Sequence, residues 1–378
     1  MSNTNIDYLI LGPAAPFRGG ISDTQHELAS HLVQLGKRVE LLTFSKLYPN
    51  LLFPGKTQKR ATHLSDALEA RPLIHAYNPL QWKKVSRLIN KQKPRCVIFR
   101  YYTPFLAPVY SRIAKSLDPE IKRIALVDNW IPHEKRFWDH GLNLLFGKQM
   151  HAFTTLSSGV ASQIKSTLEA PVWEGFHPIN THLLPPISKV KAREQLGWDP
   201  SQNIVLFFGL IREYKGVELL IQAFHQPELK DRNFVLKIVG ECYENPSKYT
   251  DLVERLELQN SVHFDFEFKS EKEIQHLFSA CDLVAQTYHT ATQSGVTPMA
   301  YFYKKPLLVS DIEGLNSPIK KDQTGLCVQK NPQAIAEGII QLFDSKTMTK
   351  TIENLAKAKE NYGWSKWVKE WDHFIQKI

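Results

Sequence analysis

Cysteine is scarce in this 378-residue chain: Cys96, Cys242, Cys281 and Cys327 are scattered, with no C-x-x-C pair among them. That spacing argues against a cysteine metal site, and Cys96 and Cys281 fall in apolar patterns that suit small buried hydrophobes. Reduced thiols point to a cytoplasmic location. Long hydrophobic runs are missing as well. No uninterrupted apolar stretch reaches the about 18 residues of a membrane span, and MSNTNIDYLILG has no basic region before its short apolar run, so it reads as a first strand rather than a signal peptide. His26-Glu27 would need a second histidine at position 30 to make a zinc helix, and that position is Ser30. A D-x-D clamp is also absent. Asp265-Phe266-Glu267 comes nearest, and alternation puts its two acids on one face of a strand. No metal is therefore expected. Finally, the glycine loop after the first strand, GPAAPFRGGIS, is not G-x-G-x-x-G, which disfavours a nicotinamide oxidoreductase.

What is present is a positive balance and a strong α/β pattern. The 47 Lys and Arg exceed the 38 Asp and Glu, for a net charge of +9 and a pI near 9.1. Such a balance favours acidic partners: a nucleotide, a nucleic acid or an anionic membrane face. Nucleic acid is disfavoured, because no Lys/Arg stripe with interleaved aromatics is found. Hydrophobic residues make up 43% of the chain, ample for two cores.

Strand and helix signals alternate twice over. In the first half, Tyr8–Leu11, Val39–Phe44, Cys96–Phe99, Ile124–Val127 and Ala152–Leu156 read as strands, with a helix carrying Leu28, Leu32 and Leu35 that ends at Gly36. The Pro-containing stretch FHPINTHLLPPI, Phe176 to Ile187, breaks the pattern as a linker. The second half restarts with Ile204–Phe208 and continues with Val235–Val239, Val262–Phe266, Leu283–Gln286, Pro306–Val309 and Leu326–Val328. This order predicts two parallel, doubly wound domains, over 1–180 and 181–360, and a tail over 361–378. Trp364, Trp367, Val368 and Trp371 make that tail an aromatic-faced helix packed on something large.

Three loops after strands carry chemistry. In FFGLIREYKG, residues 207 to 216, Arg212 and Lys215 precede a helix whose apolar face is Val217, Leu220, Ile221 and Phe224. Cations at a helix N-terminus oppose its dipole unless an anion lies between them, and ligands of open α/β sheets bind at the carboxyl ends of strands. A phosphate-bearing ligand resolves the conflict. In the first loop, Gly19 and Gly20 let backbone amides approach a phosphate, with Ser22 as N-cap. In the stretch from Tyr288 to Leu315, Thr292, Gln293, Ser294 and Gly295 open a helix whose amides can face a diphosphate. VDNWIPHEK places Asp128, Asn129, His133 and Glu134 after a first-half strand.

GPAAPFRGG, FFGLIREYKG and TQSGVTPMAYFYKKPLLVSDIEGL, in that order and spacing, resemble the retaining GT-B glycosyltransferases of family four, the glycosyl transferases group 1. The resemblance runs essentially end to end. It implies two Rossmann-like domains facing a cleft, with a nucleotide-sugar donor held mainly by the C-terminal domain and the acceptor by the N-terminal one. The last helix would cross back to the first domain. By position, Arg212 and Lys215 would grip the donor diphosphate and Gly19 and Gly20 would close on it. Ser294 and Gly295 would supply amides, and the backbone near Phe268 would meet the base. No cofactor or catalytic metal is implied.

The chain departs from the family at two places. The family's paired glutamates, eight apart, fall on Ala291 and Met299, so the resemblance is to a subset lacking the pair, in which Thr292, Gln293 and Thr297 take over polar contacts. The acceptor-side histidine falls on Asp128, and His133-Glu134 resembles the PHE of related sequences. The expected function is transfer of a sugar from a nucleotide diphosphate to a glycan or lipid-linked acceptor of a surface polysaccharide. Asp128 and His133 would act at the reacting sugar or acceptor, beside Asn129 and Glu134. The positive charge suits contact with an anionic membrane face. The alternative is a binding protein of the same fold without catalysis.

Overall fold

The computed structural model describes residues 6–17, 19–47, 68–132, 136–230 and 232–378. They fall into two compact units, Met1–Pro178 with Trp364–Ile378, and Ile179–Gly363. The chain passes from one to the other inside the proline-rich stretch read as a linker.

Each unit is built on one parallel sheet. The first contains β1 (Tyr8–Leu11), β2 (Val39–Lys46), β3 (Ala70–His75), β4 (Cys96–Tyr101), β5 (Lys122–Val127), β6 (Ala152–Thr155) and β7 (Val172–Glu174), in the order β3-β2-β1-β4-β5-β6-β7. The second contains β8 (Asn203–Phe208), β9 (Phe234–Val239), β10 (Val262–Asp265), β11 (Leu283–Gln286), β12 (Leu307–Ser310) and β13 (Gly325–Val328), in the order β10-β9-β8-β11-β12-β13. Both orders reverse beside the unit's first strand, at β1/β4 and at β8/β11. That reversal opens a crevice at the carboxyl edge, where doubly wound folds bind ligands. The central strands YLIL, CVIFRY and LVAQ are buried along their whole length, as parallel strands covered by helices on both faces must be.

β3 and β7 lie outside the strands expected from the sequence. Both are edge strands. β3 carries Pro72, which an edge tolerates because its missing N–H faces away from the ladder, and β7 is three residues long. Asp265 closes β10, so Glu267 is not on that strand, and Asp265 pairs with Lys269 at 2.6 Å. All four cysteines are free. Cys96 and Cys281 are buried, and burial pushes the Cys281 thiol up to about 12.

The tail forms the helix Trp364–Lys377, which belongs to the first unit. Its apolar stripe of Trp364, Trp367, Val368, Trp371 and Ile375 packs against Tyr8, Leu28 and Leu32. Trp367 meets Trp173 edge to face at 5.0 Å and donates its indole N–H to the Phe176 carbonyl at 2.9 Å. The polar edge is pinned by Asp372, which accepts from Tyr8 Oη at 2.5 Å and pairs with Lys37 at 2.9 Å. Trp367→Ala removes the centre of this cluster and is expected to cost about 3–5 kcal/mol, the range for emptying a buried aromatic site. Chemical denaturation followed by tryptophan fluorescence checks it, and a loss below about 1 kcal/mol would contradict the packing.

Candidate functional site

In the second unit, β8 runs out at Phe208 and the chain turns at Gly209, whose φ of +116° favours glycine. Pairing with the neighbouring strand continues past the sheet, as Ile211 N–H donates to the Glu241 carbonyl and Tyr243 N–H to the Ile211 carbonyl. This brings Tyr243 beside Arg212, whose guanidinium lies 5.1 Å from the ring centroid. A single 3-10 turn, Glu213–Lys215, then leads into the helix Val217–Phe224. Gly216 joins the two at φ +58°, and a Cβ there would sit 2.1 Å from the Thr287 carbonyl oxygen. Only glycine fits, so the FFGLIREYKG loop is pressed directly on the end of β11.

Lys215 is the electrostatic oddity of this loop. Its ammonium stands 3.9 Å from the Tyr288 ring centroid and 5.4 Å from that of Tyr214. Burial, with nearby Arg212 adding to it, holds its pKa below the usual lysine range. Lys215 is half-buried, and no carboxylate among the described residues pairs with it, so its partly desolvated charge is one an anion would steady.

The loop after β11 closes the same edge. Thr292 and Ser294 are buried, Gln293 is half-buried and Gly295 is exposed as N-cap of the helix Val296–Phe302. The Ser294 hydroxyl accepts from the Val296 N–H at 3.3 Å and lies 3.4 Å from Tyr288 Oη. Thr297 is turned into the unit, where its hydroxyl accepts from Gln286 Nε2 at 3.1 Å on β11. Phe268 follows β10 and is 59% exposed. The helix after β12, Glu313–Asp322, starts hard against this loop, since a Cβ on Gly314 would meet the Ala291 carbonyl oxygen at 2.1 Å. Arg212, Lys215, Phe268 and Thr292 to Gly295 thus all stand on loops at the carboxyl edge of one sheet.

In the first unit, Gly19 at φ +115° is the N-cap of the helix Gly20–Gln34, and a Cβ on Gly19 or Gly20 would meet nothing within 4 Å. Ser22, expected as the cap, lies inside that helix with its hydroxyl buried, because the helix starts two residues earlier. Asp128 follows β5 but is not an open carboxylate. It is 4% exposed and paired with Arg100 through both oxygens, Nε to Oδ2 at 2.6 Å and Nη2 to Oδ1 at 2.5 Å. Arg100 also donates to Thr24 Oγ1 at 2.9 Å. His177 is half-buried near this pair, and desolvation lowers its pKa. Asn129 is half-buried; His133 and Glu134 lie outside the described residues. Arg100 was missed, although a single charge in the apolar run CVIFRYY is a signal that it needs a buried partner.

Two Rossmann-like parallel-sheet domains are the architecture of the GT-B glycosyltransferases, and the chain has that fold. Sucrose-phosphate synthase from Thermosynechococcus elongatus is similar at a TM-score of 0.78 and 15% identity, over 98% of both chains. Anabaena HepE, solved in complex with UDP, is similar at 0.75 and 17%, over 99% of this chain and 100% of that one. Residues 188–361 match the family model of the glycosyl transferases group 1, which supports that family for the chain. Among curated relatives, an uncharacterized glycosyltransferase of Methanocaldococcus jannaschii is 24% identical over 61% of each chain. A D-inositol 3-phosphate glycosyltransferase of Nocardia farcinica is 26% identical over 39% of this chain and 34% of its own. The matches thus span about six-tenths or less of these relatives' length.

Proposed function

We propose that the chain is a retaining glycosyltransferase that moves a sugar from a nucleotide diphosphate to a glycan or lipid-linked acceptor in surface polysaccharide synthesis. The observation that carries this reading is Lys215, a half-buried ammonium at the carboxyl edge of the second unit's sheet that no carboxylate among the described residues neutralises. A donor diphosphate supplies the missing charge. HepE, of the same fold, is solved with UDP and with UDP-glucose.

In the reaction the bond between the sugar carbon and the diphosphate oxygen breaks. A bond to the acceptor hydroxyl oxygen forms on the same face, and the hydroxyl proton passes to the departing phosphate. Negative charge grows on the leaving diphosphate, so Arg212, Lys215 and the amides at Ser294 and Gly295 stabilise the transition state more than the ground state. Gly19 and Gly20, whose backbone is open, are proposed to offer amides to a phosphate. Phe268 flanks the base, and Thr292 and Gln293 take the sugar contacts made elsewhere by paired glutamates. Asp128 and Asn129, with His133 and Glu134, serve the acceptor side. Asp128 does so from within its pair with Arg100, as an orienting group rather than an open charge.

Neither metal nor cofactor is needed in this scheme. Among the described residues no three His, Cys, Asp or Glu side chains group as metal ligands, and the cations do the neutralising. A thermal-shift screen against the common nucleoside diphosphates and nucleotide sugars, repeated with EDTA, tests the reading. One nucleotide should raise the melting temperature equally with and without chelator, since a ligand that binds only the native state stabilises it. A shift that EDTA abolishes, or no shift with any nucleotide, would sink it.

A lipid-linked acceptor requires contact with a membrane face. Among the described residues no helix is long and apolar enough to cross one. The first unit instead exposes Phe137 at 91%, its ring centroid 4.5 Å from that of Trp138, and Ile131 and Leu145, close by in sequence, are exposed as well. Arg136 and Lys148 bracket this stretch in sequence, and the one acid of residues 136–148, Asp139, is buried. Exposed aromatics with a cation beside them suit an anionic lipid surface. Glycan stacking is the poorer match, because Arg136 lies over the Trp138 ring at 5.7 Å and the aliphatic side chains add nothing to it. The chain should float with phosphatidylglycerol-containing vesicles and not with phosphatidylcholine alone, and Phe137→Ser with Trp138→Ser should abolish flotation. Unchanged flotation of that variant would refute the patch.

A further inference from the structure

The loop after β8 and the end of β11 are fastened together residue by residue. Thr287 Oγ1 donates to the Gly216 carbonyl at 2.9 Å, and His289 N–H donates to the Tyr214 carbonyl at 2.8 Å. His289 Nε2 meets Glu218 Oε1 at 2.5 Å. Between these fastenings lies Tyr288, 1% exposed, with its ring under the Lys215 ammonium and its hydroxyl toward Ser294. The sequence motifs that carry the family resemblance do not single this tyrosine out.

We infer that Tyr288 is a positioning residue: its ring is the platform that holds the Lys215 ammonium, charged and aimed, for the donor diphosphate. This rests on the reading of Lys215 as a diphosphate ligand. A half-buried ammonium can be steadied by a carboxylate, a carbonyl or an aromatic face. The first would neutralise the charge and compete with the incoming anion. An aromatic face steadies the cation through the ring quadrupole, strongly when water is excluded, and leaves it free to attract a phosphate. The zipper of bonds around Gly216 fixes the ring-to-ammonium distance, which an isolated surface contact would not. The Tyr288 hydroxyl lies 3.4 Å from Ser294 Oγ, a long contact that the platform does not require.

The alternative is that Tyr288 merely fills the core beside Phe207, whose ring centroid is 6.3 Å away. Calorimetric titration separates the two, using whichever of ADP, GDP, TDP and UDP binds the parent most tightly. Tyr288→Phe keeps the face and should bind within about twofold of the parent. Tyr288→Leu should lose about 5- to 30-fold, the worth of a desolvated cation–π contact. In a Lys215→Ala background the same Tyr288→Leu change should cost less than about twofold more, because the contact it removes is already gone. An additive loss in that background overturns the inference, as does full affinity in Tyr288→Leu. Full affinity in Lys215→Ala alone instead overturns the diphosphate reading beneath it. If Tyr288→Leu fails to fold, phenylalanines of rising fluorine content at position 288 keep the shape and drain the ring quadrupole. Affinity should then fall with each fluorine, and an unchanged series refutes the platform.

Discussion

Lys215→Ala and Arg212→Ala are each expected to weaken binding of the nucleoside diphosphate by about 10- to 150-fold. This corresponds to the roughly 1.5–3 kcal/mol of a hydrogen bond to a charged group. Neither change should lower the melting temperature appreciably. Arg212 is half-exposed and rests on Tyr243. Lys215 gives up a desolvation cost when it is removed, which offsets the lost contact with Tyr288. A pH signature accompanies the loss. Burial already depresses the Lys215 pKa in the empty protein, and a bound diphosphate raises it, so binding takes up a proton wherever the free lysine is neutral. Donor affinity should therefore be flat at low pH and decline as pH rises through the depressed value. The decline should end only above the pKa of the bound state. Lys215→Arg stays charged throughout and should not show it. Titrations at several pH values on parent, Lys215→Ala and Lys215→Arg check both statements. Equal affinity in Lys215→Ala and the parent would remove the assignment.

The second large effect belongs to the first unit. Asp128→Asn keeps the side-chain shape but leaves the Arg100 guanidinium buried without its counter-charge. Breaking one side of a buried pair typically costs about 3–5 kcal/mol, against a net gain near zero for the pair as a whole. The melting temperature of the variant should fall by roughly 5–20 °C at about 2–4 °C per kcal/mol. Replacing both partners, Arg100→Met with Asp128→Asn, leaves no unpaired charge and should recover most of that loss. Turnover should be at least about tenfold lower in Asp128→Asn, about 1.4 kcal/mol of barrier. Diphosphate affinity should stay within about twofold, because the groups proposed to hold the diphosphate are mainly in the second unit. Measuring stability, turnover and diphosphate affinity on the two variants separates the roles. A double variant that is stable and fully active would make the pair scaffold alone. A single variant that loses diphosphate binding would mean the roles of the two units are misassigned.

Much of the fold was legible because parallel strands buried on both faces write themselves as unbroken apolar runs. VLFF, LVAQ and CVIF are such runs, and each is a central strand. β3 and β7 wrote nothing comparable, since an edge strand that is short or interrupted by Pro72 looks like a loop. Helix starts were harder. The chain enters the first helix at Gly19, whose positive φ makes glycine the cap, and Ser22 was the more obvious capping residue type. At the candidate site, Arg212, Lys215 and Ser294 stood out by charge and by place after strands. Arg100, Tyr288 and His177 did not, because their importance lies in partners 28, 73 and tens of residues away, as in the Arg100–Asp128 bond. Burial and pairing are tertiary facts. A sequence read alone shows which side chains are reactive and hides which of them are already satisfied.

Donor chemistry is decided by following a panel of nucleotide sugars by NMR in the presence of EDTA, with and without lipid-linked acceptors. One donor should be consumed, nucleoside diphosphate should be released, and the anomeric configuration of the donor should persist in the product. Lys215→Ala should be deficient. A panel left intact by a protein that nonetheless binds a nucleotide would contradict catalysis and favour the binding protein of the same fold. An inverted product would contradict the same-face mechanism.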